Sequence, residues 1–462
     1  MRDLVIVGAG ITGAAVFRAS ARAGLSVCLL DRGRAGGATT AVTSGLFHGG
    51  LRYLPYDVAT SYAMCLEISR LLAASPGLLK RQVFLWPVYR HHRLGMGLVE
   101  SLMECYDRFA DLRSSPGHFR LSASRTIDCV PAIERSGLIG SLSFDEWRVD
   151  VCGLVQGLLA QGRAAGGEVL EGRRVVAFVA RDGRIMAARA RGLEGRDAEF
   201  HARVFVNAAG PWAEEVAVLA GSKAVKLSLR RGVHLVIPHE PPRCGLIFPE
   251  PSGRYIGLYP REGEFWVGPT DDPQEGSPDQ LAVTPSEAQR LRRSLGTILP
   301  GYPAASGRTV AGLRPIFRQF MVPGMLSRDY RIIDHSREGI GNLLSAVGGK
   351  LTSHRPMAED ILAAVLPKLE KPAPPPLAVS GGGLASRLLA THNRFASAAL
   401  SAAMLAYHAM RHAVSRPSAL RGDEGFRQAY PDLAEAPSLD QGPHREVPGF
   451  EPGADPGAKP GA

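Results

Sequence analysis

Long apolar segments are missing from this chain of 462 residues. No run of roughly eighteen apolar residues occurs, which is the minimum for a membrane-spanning helix. The first apolar stretch, Leu4–Val7, covers only four positions before it meets glycine. We therefore expect neither a membrane-spanning helix nor a secretory signal peptide.

Cysteine is also scarce, with six residues in the whole chain. None forms a C-x-x-C pair or has metal-ligand spacing from a histidine, so the sequence predicts reduced, structural thiols and no metal site. The net charge is +10, but the arginines are scattered and do not form a basic patch. This distribution argues against a nucleic-acid partner, and it leaves a membrane surface or anionic substrates to explain the charge.

Hydrophobic residues make up 45% of the chain, which is enough for sizeable cores in two or three domains. The most informative stretch lies at the N-terminus, where Leu4–Val7 has the composition of a buried parallel strand. The strand runs into a G-x-G-x-x-G spacing formed by Gly8, Gly10 and Gly13. Small, helix-compatible residues follow at 11–23.

This order of strand, glycines and helix predicts a dinucleotide-binding unit. The glycines allow a tight turn and a close approach of the backbone to a pyrophosphate, and amides at the helix start face the phosphates. A second strand at 26–30 ends at Asp31, whose carboxylate suits a ribose hydroxyl. The alternative is a plain βα turn that binds no ligand.

Later segments complete the predicted domain organisation. Strands at 204–207 and 343–347 each end in small residues, as the N-terminal strand does, so the cofactor domain is assembled from separate pieces. Residues 225–310 alternate in β fashion and predict a mostly antiparallel substrate domain. The predicted domains are a cofactor domain (1–80, 150–220 and 340–367), a substrate-binding domain (81–149 and 221–339), a Pro-rich linker (368–376), a helical C-terminal extension (377–430) and a disordered tail (436–462).

Eight short motifs occur in order across roughly the first 365 residues. They are G-A-G-I-T-G at 8–13, G-L-F-H-G-G-L-R-Y at 45–53, V-N-A-A-G-P-W at 206–212, R-G-V-H at 231–234, V-G-P-T-D-D at 267–272, G-L-R-P at 312–315, S-R-D-Y at 327–330 and G-G-K-L-T at 348–352. Together they resemble the FAD-dependent glycerol-3-phosphate dehydrogenases and oxidases. The resemblance implies an α/β fold: a discontinuous Rossmann-like FAD-binding domain, a mostly antiparallel β substrate-binding domain and a short helical C-terminal extension.

The resemblance also implies a function. A flavoenzyme of this family oxidises sn-glycerol 3-phosphate to dihydroxyacetone phosphate by hydride transfer to flavin N5. If electrons pass on to quinone, we expect a cytoplasmic protein at the cytoplasmic face of the inner membrane; oxygen is the alternative acceptor. A homodimer belongs to the same expectation. Two other functions stay open: a flavin amine or 2-hydroxy-acid oxidoreductase, and a catalytically inactive FAD-binding paralogue.

Four basic residues are suited to the substrate's phosphate. A phosphomonoester carries nearly two negative charges, for which guanidinium forks and an ammonium group are natural receptors. Arg52, Arg314, Arg328 and Lys350 each lie beside glycine, proline or aromatic turn residues and not on an amphipathic helix face. A surface or ion-paired arginine is the alternative for any one of them, but the set favours phosphate binding.

Oxidation of a secondary alcohol also needs a base within hydrogen-bond reach of the hydroxyl. His48 is the first candidate, because the resemblance places its loop at the isoalloxazine and Gly49–Gly50 would let flavin and substrate come close. His234 is the alternative base or a polariser of the carbonyl oxygen, and either histidine could instead be a satisfied core residue. Tyr53 and Thr270 would orient the substrate or bind the flavin. The predicted catalytic residues are His48, Arg52, His234 and Arg314.

The predicted FAD-binding residues come from the same motifs and the hydroxyl-rich loop before them. They are Gly8, Gly10, Gly13, Asp31, Thr39, Thr40, Ser44, Gly49, Ala209, Gly210, Gly349, Lys350, Leu351 and Thr352. Two positions depart from the family pattern: Gly45 replaces a common lysine, and Pro269 replaces a common threonine and offers no backbone N–H. The region after Pro372 is shorter and richer in alanine than the family's helical domain.

Overall fold

The computed structural model describes residues 1–250, 252–318, 330–372, 394–414 and 421–434. Its strands are β1 (Arg2–Val7), β2 (Val27–Leu30), β3 (Leu46–Phe47), β4 (Leu79–Tyr89), β5 (Phe119–Ser122), β6 (Leu138–Val149), β7 (Glu168–Leu170), β8 (Arg174–Arg181), β9 (Arg184–Arg191), β10 (Asp197–Asn207), β11 (Leu227–Ile237), β12 (Gly245–Pro249), β13 (Tyr255–Arg261), β14 (Glu264–Gly268), β15 (Asp272–Pro273), β16 (Arg308–Phe317), β17 (Arg331–Asp334) and β18 (Leu343–Val347).

Helices connect and cover these strands. They are α1 (Ile11–Arg22), α2 (Val58–Ala74), α3 (Met96–Asp107), α4 (Ala123–Cys129), α5 (Val151–Ala164), α6 (Ala213–Leu219), α7 (Pro285–Ile298), α8 (His354–Lys368), α9 (Arg394–Val414), α10 (Asp423–Ala429) and α11 (Pro431–Ala434). A short 3-10 turn at Leu51–Tyr53 leads into α2.

The first sheet has the order β17-β18-β10-β1-β2-β7, and the β8-β9 hairpin extends from β10. Its central strands are parallel, and Val7 lies in register with both Leu30 and Asn207, so three carboxyl ends meet at one edge. Leu4, Val5 and Ile6 are fully buried because α1, α5 and α8 cover one face and the hairpin covers the other. That edge is where ligands bind in sheets of this kind.

The second sheet has the order β15-β11-β14-β13-β12-β4-β6-β3, with β16 paired to β11 and β5 to β6. Side chains alternate across it, so Val233 and Leu235 enter a core under α7 while Gly232 and His234 face the opposite side. Helix α3 and the sheet face of β4 and β6 enclose a further core. The α/β fold class predicted from the sequence is confirmed.

The sheets correct three of the predicted segments. Strand β3 lies within 1–80 but pairs with β6 of the second sheet, and β17 lies within 221–339 but pairs with β18 of the first. The β-like region 225–310 contains helix α7. That helix has a sequence signal we missed: a capping box of Thr284 and Glu287 with proline at its first position.

The C-terminal helices pack on α2, on α3 and on the core of the second sheet. Helix α9 lies against α3 and α2, where Ser401 Oγ accepts the Val58 N–H at 3.1 Å and Ser397 Oγ accepts the Ala59 N–H at 3.0 Å. Phe426 of α10 is fully buried in the core under the second sheet. The linker at 373–376, residues 377–393 and the tail at 436–462 lie outside the described residues. Within the described ranges, no helix combines the length and apolarity needed to cross a bilayer.

Candidate active site

A cavity of about 1500 Å³ lies at the carboxyl edge of the first sheet, and residues of the second sheet also line it. Most of the predicted site residues line it. The predicted catalytic and substrate-binding residues at its wall are His48, Arg52, Tyr53, His234, Arg314 and Lys350. The predicted cofactor residues at its wall are Gly8, Gly10, Asp31, Thr39, Thr40, Ser44, Ala209, Gly210, Gly349, Lys350, Leu351 and Thr352.

The glycine turn after β1 forms one end of this cavity. A Cβ built on Gly8 would lie 2.6 Å from the Ala208 carbonyl oxygen, and the Gly8 φ of +103° is a backbone conformation that favours glycine. A Cβ on Gly13 would overlap the Gly8 carbonyl oxygen. Gly13 therefore allows α1 to pack on the turn, while Gly8 and Gly10 face the cavity.

Asp31 holds this turn as well as lining the cavity. Its Oδ2 accepts the Ala9 N–H at 2.6 Å and its Oδ1 accepts the Gly33 N–H at 2.8 Å. Each carboxylate oxygen retains a further lone pair for a ligand hydroxyl. The carboxylate thus ties the ends of β1 and β2 to the place where a ribose would lie.

Tyr53 lies at the other end of the cavity, where three side chains approach its ring. The Lys350 Nζ lies 5.1 Å and the Arg52 Cζ 5.6 Å from the centroid of its ring, and the His48 ring lies 6.1 Å away. Tyr53 itself is buried, since only 5% of its surface is exposed. The motif at 45–53 and the distant motif at 348–352 therefore bring two cations and an imidazole close to one phenol ring.

Arg314 reaches the cavity from β16. Its guanidinium lies over Gly232, where a built Cβ would come within 2.5 Å of an Arg314 nitrogen, so only glycine leaves room for it. Its Nη1 donates to the Thr270 carbonyl at 3.0 Å and lies 3.3 Å from Asp271 Oδ1. Arg230 and Arg254 also approach Asp271, at 3.2 and 3.7 Å. One carboxylate thus faces three guanidinium groups, which leaves an excess of positive charge.

Arg254 was not among the predicted site residues, although it lines the cavity. Arg254 and two other arginines act on the buried Tyr259. Burial raises the pKa of Tyr259 to about 12, while the nearby Arg52, Arg314 and Arg254 guanidinium groups act to lower it. The three arginines therefore converge on one phenol. The sequence signal for Arg254 was weak, because it stands alone after the Ser252–Gly253 turn.

His234 is also buried, and it lies near two arginines. Burial, and then the charges of Arg314 and Arg261, lower the pKa of His234 to about 3. Neither ring nitrogen has a hydrogen-bond partner among the described residues. The imidazole is therefore neutral near pH 7, which suits a hydrogen bond to a ligand oxygen and makes it a poor proton acceptor. This favours the polariser among the two roles predicted for it.

Glu146 of β6 is a second cavity residue that the sequence analysis missed. Its Oε2 accepts the Gly49 N–H at 2.9 Å and its Oε1 accepts the Tyr106 hydroxyl at 2.7 Å. Only 4% of its surface is exposed, and burial raises its pKa to about 7. The F-D-E-W segment that carries it has no spacing that separates it from an ordinary strand.

Besides Gly13, two predicted residues of the described chain do not line the cavity. Thr270 is fully buried, and its Oγ1 accepts the Val233 N–H at 3.0 Å, so it holds two strands together. Gly49 faces away from the predicted flavin contact, because a Cβ there would lie 2.6 Å from Arg113 Cδ and 2.8 Å from Cys65 Sγ. Arg328 lies outside the described residues.

The two departures from the family pattern differ in position. Pro269 lines the cavity, whereas Gly45 is not part of its wall. Gly45 has a φ of +69°, and a Cβ there would lie 3.2 Å from the Val149 carbonyl oxygen. No cluster of three potential metal ligands occurs in the part of the chain that the structure describes.

Comparison with known proteins identifies the family. The family model FAD dependent oxidoreductase matches residues 3–355. The chain belongs to this family. It is thus an FAD-dependent oxidoreductase, and the predicted cofactor is confirmed. An aerobic glycerol-3-phosphate dehydrogenase of Staphylococcus haemolyticus is 29% identical over 384 residues, which cover 80% of this chain and 68% of that protein.

Two solved structures share the fold. The glycerol-3-phosphate dehydrogenase of Bacillus halodurans complexed with FAD has a TM-score of 0.65 and 24% identity, covering 84% of this chain and 69% of that one. The L-α-glycerophosphate oxidase of Mycoplasma pneumoniae with FAD bound has a TM-score of 0.62 and 18% identity, covering 79% of this chain and 94% of that one. At these identities the likeness establishes the fold.

The residues at the cavity wall fit an FAD molecule. Gly8 and Gly10 present backbone without side chains at the cavity wall, and Gly10 at the start of α1 has no side chain to cap it, so amides are available for a pyrophosphate. The Thr40 Oγ1 already accepts the Ile11 N–H at 3.2 Å and fixes the loop beside them. Bound FAD would supply the hydride acceptor of an oxidation.

Proposed function

We propose that the protein oxidises sn-glycerol 3-phosphate to dihydroxyacetone phosphate. The observation that carries this proposal is the convergence of Arg52, Arg314 and Lys350, from three separate motifs, on the cavity that the dinucleotide turn also lines. The similarity to aerobic glycerol-3-phosphate dehydrogenases supports the same substrate. The proposed substrate couples a phosphate dianion to a secondary alcohol, and the cavity offers cations and an imidazole for these two groups.

The cations would bind the phosphate. Arg314 and Arg254 both line the cavity, at 3.3 and 3.7 Å from Asp271, and their guanidinium groups are suited to an incoming phosphate. Lys350 and Arg52 lie 5.1 and 5.6 Å from the centroid of the Tyr53 ring and add two further charges. A carboxylate substrate needs one bidentate arginine, so this number of cations favours a phosphate over an amino acid or a 2-hydroxy acid.

The two histidines would handle the alcohol. His48 takes the hydroxyl proton at its imidazole, while His234 donates a hydrogen bond from its neutral ring to the oxygen that becomes the carbonyl. FAD, when bound, supplies the N5 position that receives the hydride. Burial keeps His234 neutral, so it can polarise the oxygen without adding a proton to it.

Quinone is the proposed acceptor of the electrons. The wall of the cavity beyond Tyr259 is apolar, and the rings of Trp86 and Tyr255 lie 4.7 Å apart there with Leu94 and Leu102 beside them. An apolar wall of this kind suits a quinone ring. A protein that reduces membrane quinone would work at the cytoplasmic face of the inner membrane. The homodimer stays a prediction.

An anaerobic titration tests the substrate. We expect sn-glycerol 3-phosphate to bleach the flavin absorbance of the purified protein, while glycine, D-alanine and 2-hydroxyglutarate leave it unchanged. Bleaching by one of the latter three would favour the amine or 2-hydroxy-acid oxidoreductase. A flavin that no phosphorylated polyol bleaches would favour the inactive paralogue.

Substitution of His48 tests the mechanism. His48→Ala should lower kcat by roughly a hundredfold or more with little change in KM, because the base acts in the transition state. His239→Ala is the matched control, since this exposed histidine does not line the cavity and its loss should change neither constant. Wild-type turnover of His48→Ala across the pH range would refute the assignment.

A further inference from the structure

Glu146 is a buried acid at the cavity wall to which the proposed mechanism gives no role. It lies on β6 opposite Gln82 of β4, and its carboxylate reaches the turn between β3 and Leu51–Tyr53. The contact there is the N–H of Gly49, at 2.9 Å, one residue after His48. A carboxylate that accepts a backbone N–H in a buried site forms one of the stronger hydrogen bonds in proteins.

The turn is fitted tightly around this contact. The Cys65 Sγ lies 3.3 Å from the Gly49 carbonyl oxygen, and any side chain at Gly49 would meet Tyr106, Arg113 and Cys65. Both backbone groups of Gly49 are therefore held, the N–H by Glu146 and the carbonyl by Cys65. The backbone that carries His48 has little freedom to move as long as Glu146 accepts its bond.

Charged and titratable groups surround the carboxylate on several elements. Tyr106 of α3 donates to it, Arg113 lies beside it with its guanidinium 3.7 Å above the Tyr106 ring, and Cys65 of α2 is adjacent. Asp145 of β6 and Tyr259 of β13 complete the surroundings. Burial raises the pKa of Glu146 and Arg113 lowers it, with the net result of about 7.

We propose that Glu146 is the positioning residue of His48: its carboxylate fixes the Gly49 amide and offsets the positive charge that His48 gains when it accepts the substrate's hydroxyl proton. The proposal rests on the proposed function, in which His48 is the base. The proton moves from the hydroxyl oxygen to the imidazole, and Glu146 must be ionised for its charge to act. Protonation of Glu146 therefore slows the reaction.

Glu146→Gln keeps the shape and removes the charge. We expect kcat to fall roughly ten- to hundredfold, the effect of losing one hydrogen bond to a charged group, with KM nearly unchanged. We also expect the slope of the acid limb, in a plot of log kcat/KM against pH, to decrease by one. The variant no longer requires an ionised residue 146, and only the deprotonation of His48 remains. A variant that keeps the wild-type slope would overturn the proposal.

Tyr106→Phe gives a second test that does not need the glutamine variant to fold. The Tyr106 hydrogen bond lowers the pKa of Glu146, so its removal should move the acid limb to higher pH. Asp145→Asn is the counterpart, because Asp145 lies in the same buried cluster, 3.7 Å from Arg113, and does not line the cavity. The Asp145 charge raises the pKa of Glu146, so its removal should move the acid limb in the opposite direction, to lower pH. An acid limb that stays in place in Tyr106→Phe contradicts the proposal.

The midpoint potential of the bound FAD separates this proposal from the proposed function. It can be measured by chemical reduction without any substrate. Above about pH 7, where Glu146 is ionised, its negative charge should hold the potential of the wild type below that of Glu146→Gln, and the two potentials should converge at lower pH. If glycerol 3-phosphate failed to reduce the flavin but the two curves separated in this way, the substrate would be wrong and the ionisation right. Curves that superimpose at every pH would refute the role of Glu146.

Discussion

The two ends of the cavity differ in how far apart in the chain their residues lie. The dinucleotide end is built mainly from residues 8–44, with Asp31 hydrogen-bonded to Ala9 and Thr40 to Ile11. The substrate end draws His48, His234, Arg314 and Lys350 from four distant segments. Local spacing determines the first end, whereas the register of the second sheet determines much of the other.

Glycines in the second sheet illustrate the difference. Gly232 lies in register with Gly312, and Gly257 with Gly268. The missing side chain at Gly232 leaves room for Arg314, and that at Gly257 leaves room for the Tyr259 ring. The Gly257–Tyr259 contact is local, because the two residues lie two positions apart on β13. The Gly232–Arg314 contact joins two strands and exists only once β11 and β16 are aligned.

The largest expected effect breaks the dinucleotide end. Gly13→Val should abolish FAD binding or folding, because its Cβ would overlap the Gly8 carbonyl oxygen in a rigid turn. The absorbance ratio of bound flavin to protein measures the loss. Gly157→Ala is the control, since a Cβ on this glycine of α5 meets no atom within 4 Å, and it should bind FAD normally.

At the substrate end, Arg314→Ala should raise KM for glycerol 3-phosphate roughly ten- to hundredfold, because it loses charge-assisted hydrogen bonds to the phosphate. Arg230→Ala is matched to it, since both guanidinium groups contact Asp271 but Arg230 does not line the cavity. Its effect on KM should stay below about fivefold. Equal effects in steady-state kinetics would show that the ion pairs matter and the cavity position does not.

The burial of His234 predicts a pH effect on stability. Its pKa is 6.5 in the ordinary state and about 3 in the fold, so the unfolded chain binds a proton that the folded chain excludes. Above pH 6.5 the buried imidazole does not reduce the free energy of unfolding. As the pH falls from 6.5 toward 3, the free energy of unfolding decreases, by about 2 kcal/mol at pH 5.

Denaturant unfolding at pH 7 and pH 5 measures this contribution. In His234→Gln the difference between the two pH values should shrink by about 2 kcal/mol. His239→Gln changes an exposed ring and should leave the difference unchanged. An equal loss at pH 5 in wild type and His234→Gln would mean that other groups dominate acid unfolding.

The smallest expected effect concerns the C-terminal helix behind the substrate end. Ser401→Ala removes the acceptor for the Val58 N–H at the start of α2, which follows the Arg52–Tyr53 turn. We expect a loss of about 1 kcal/mol in the free energy of unfolding, as for a helix cap. Met410→Ala, on the exposed face of α9, should cost less. A Ser401→Ala protein as stable as wild type would show that α9 does not support the turn.

The two ends of the cavity also differ in how much of each could be predicted from the sequence. The strand-glycine-helix order, Asp31 and the cofactor loops were predictable, because each depends on residues within one supersecondary unit. The motif pattern further predicted His48, Arg52, Arg314 and Lys350. Glu146 and Arg254 could not be predicted, since a single glutamate in a strand and a single arginine after a turn have no periodic signal. Thr270 and Gly49 do not line the cavity, because a motif does not reveal how its residues are oriented in the fold.

The sequence by itself therefore determined the fold class, the glycine turn after β1 and three of the basic residues that line the cavity. The sequence signals for these features are local, because glycine spacing, apolar runs and short motifs depend on residues that are close together in the chain. Only the tertiary structure decided that Arg254 and Arg314 share Asp271, that His234 is neutral, and that Glu146 holds the turn beside His48. The physical reason is that charge, burial and hydrogen bonding depend on what surrounds a side chain, and strand register sets those surroundings.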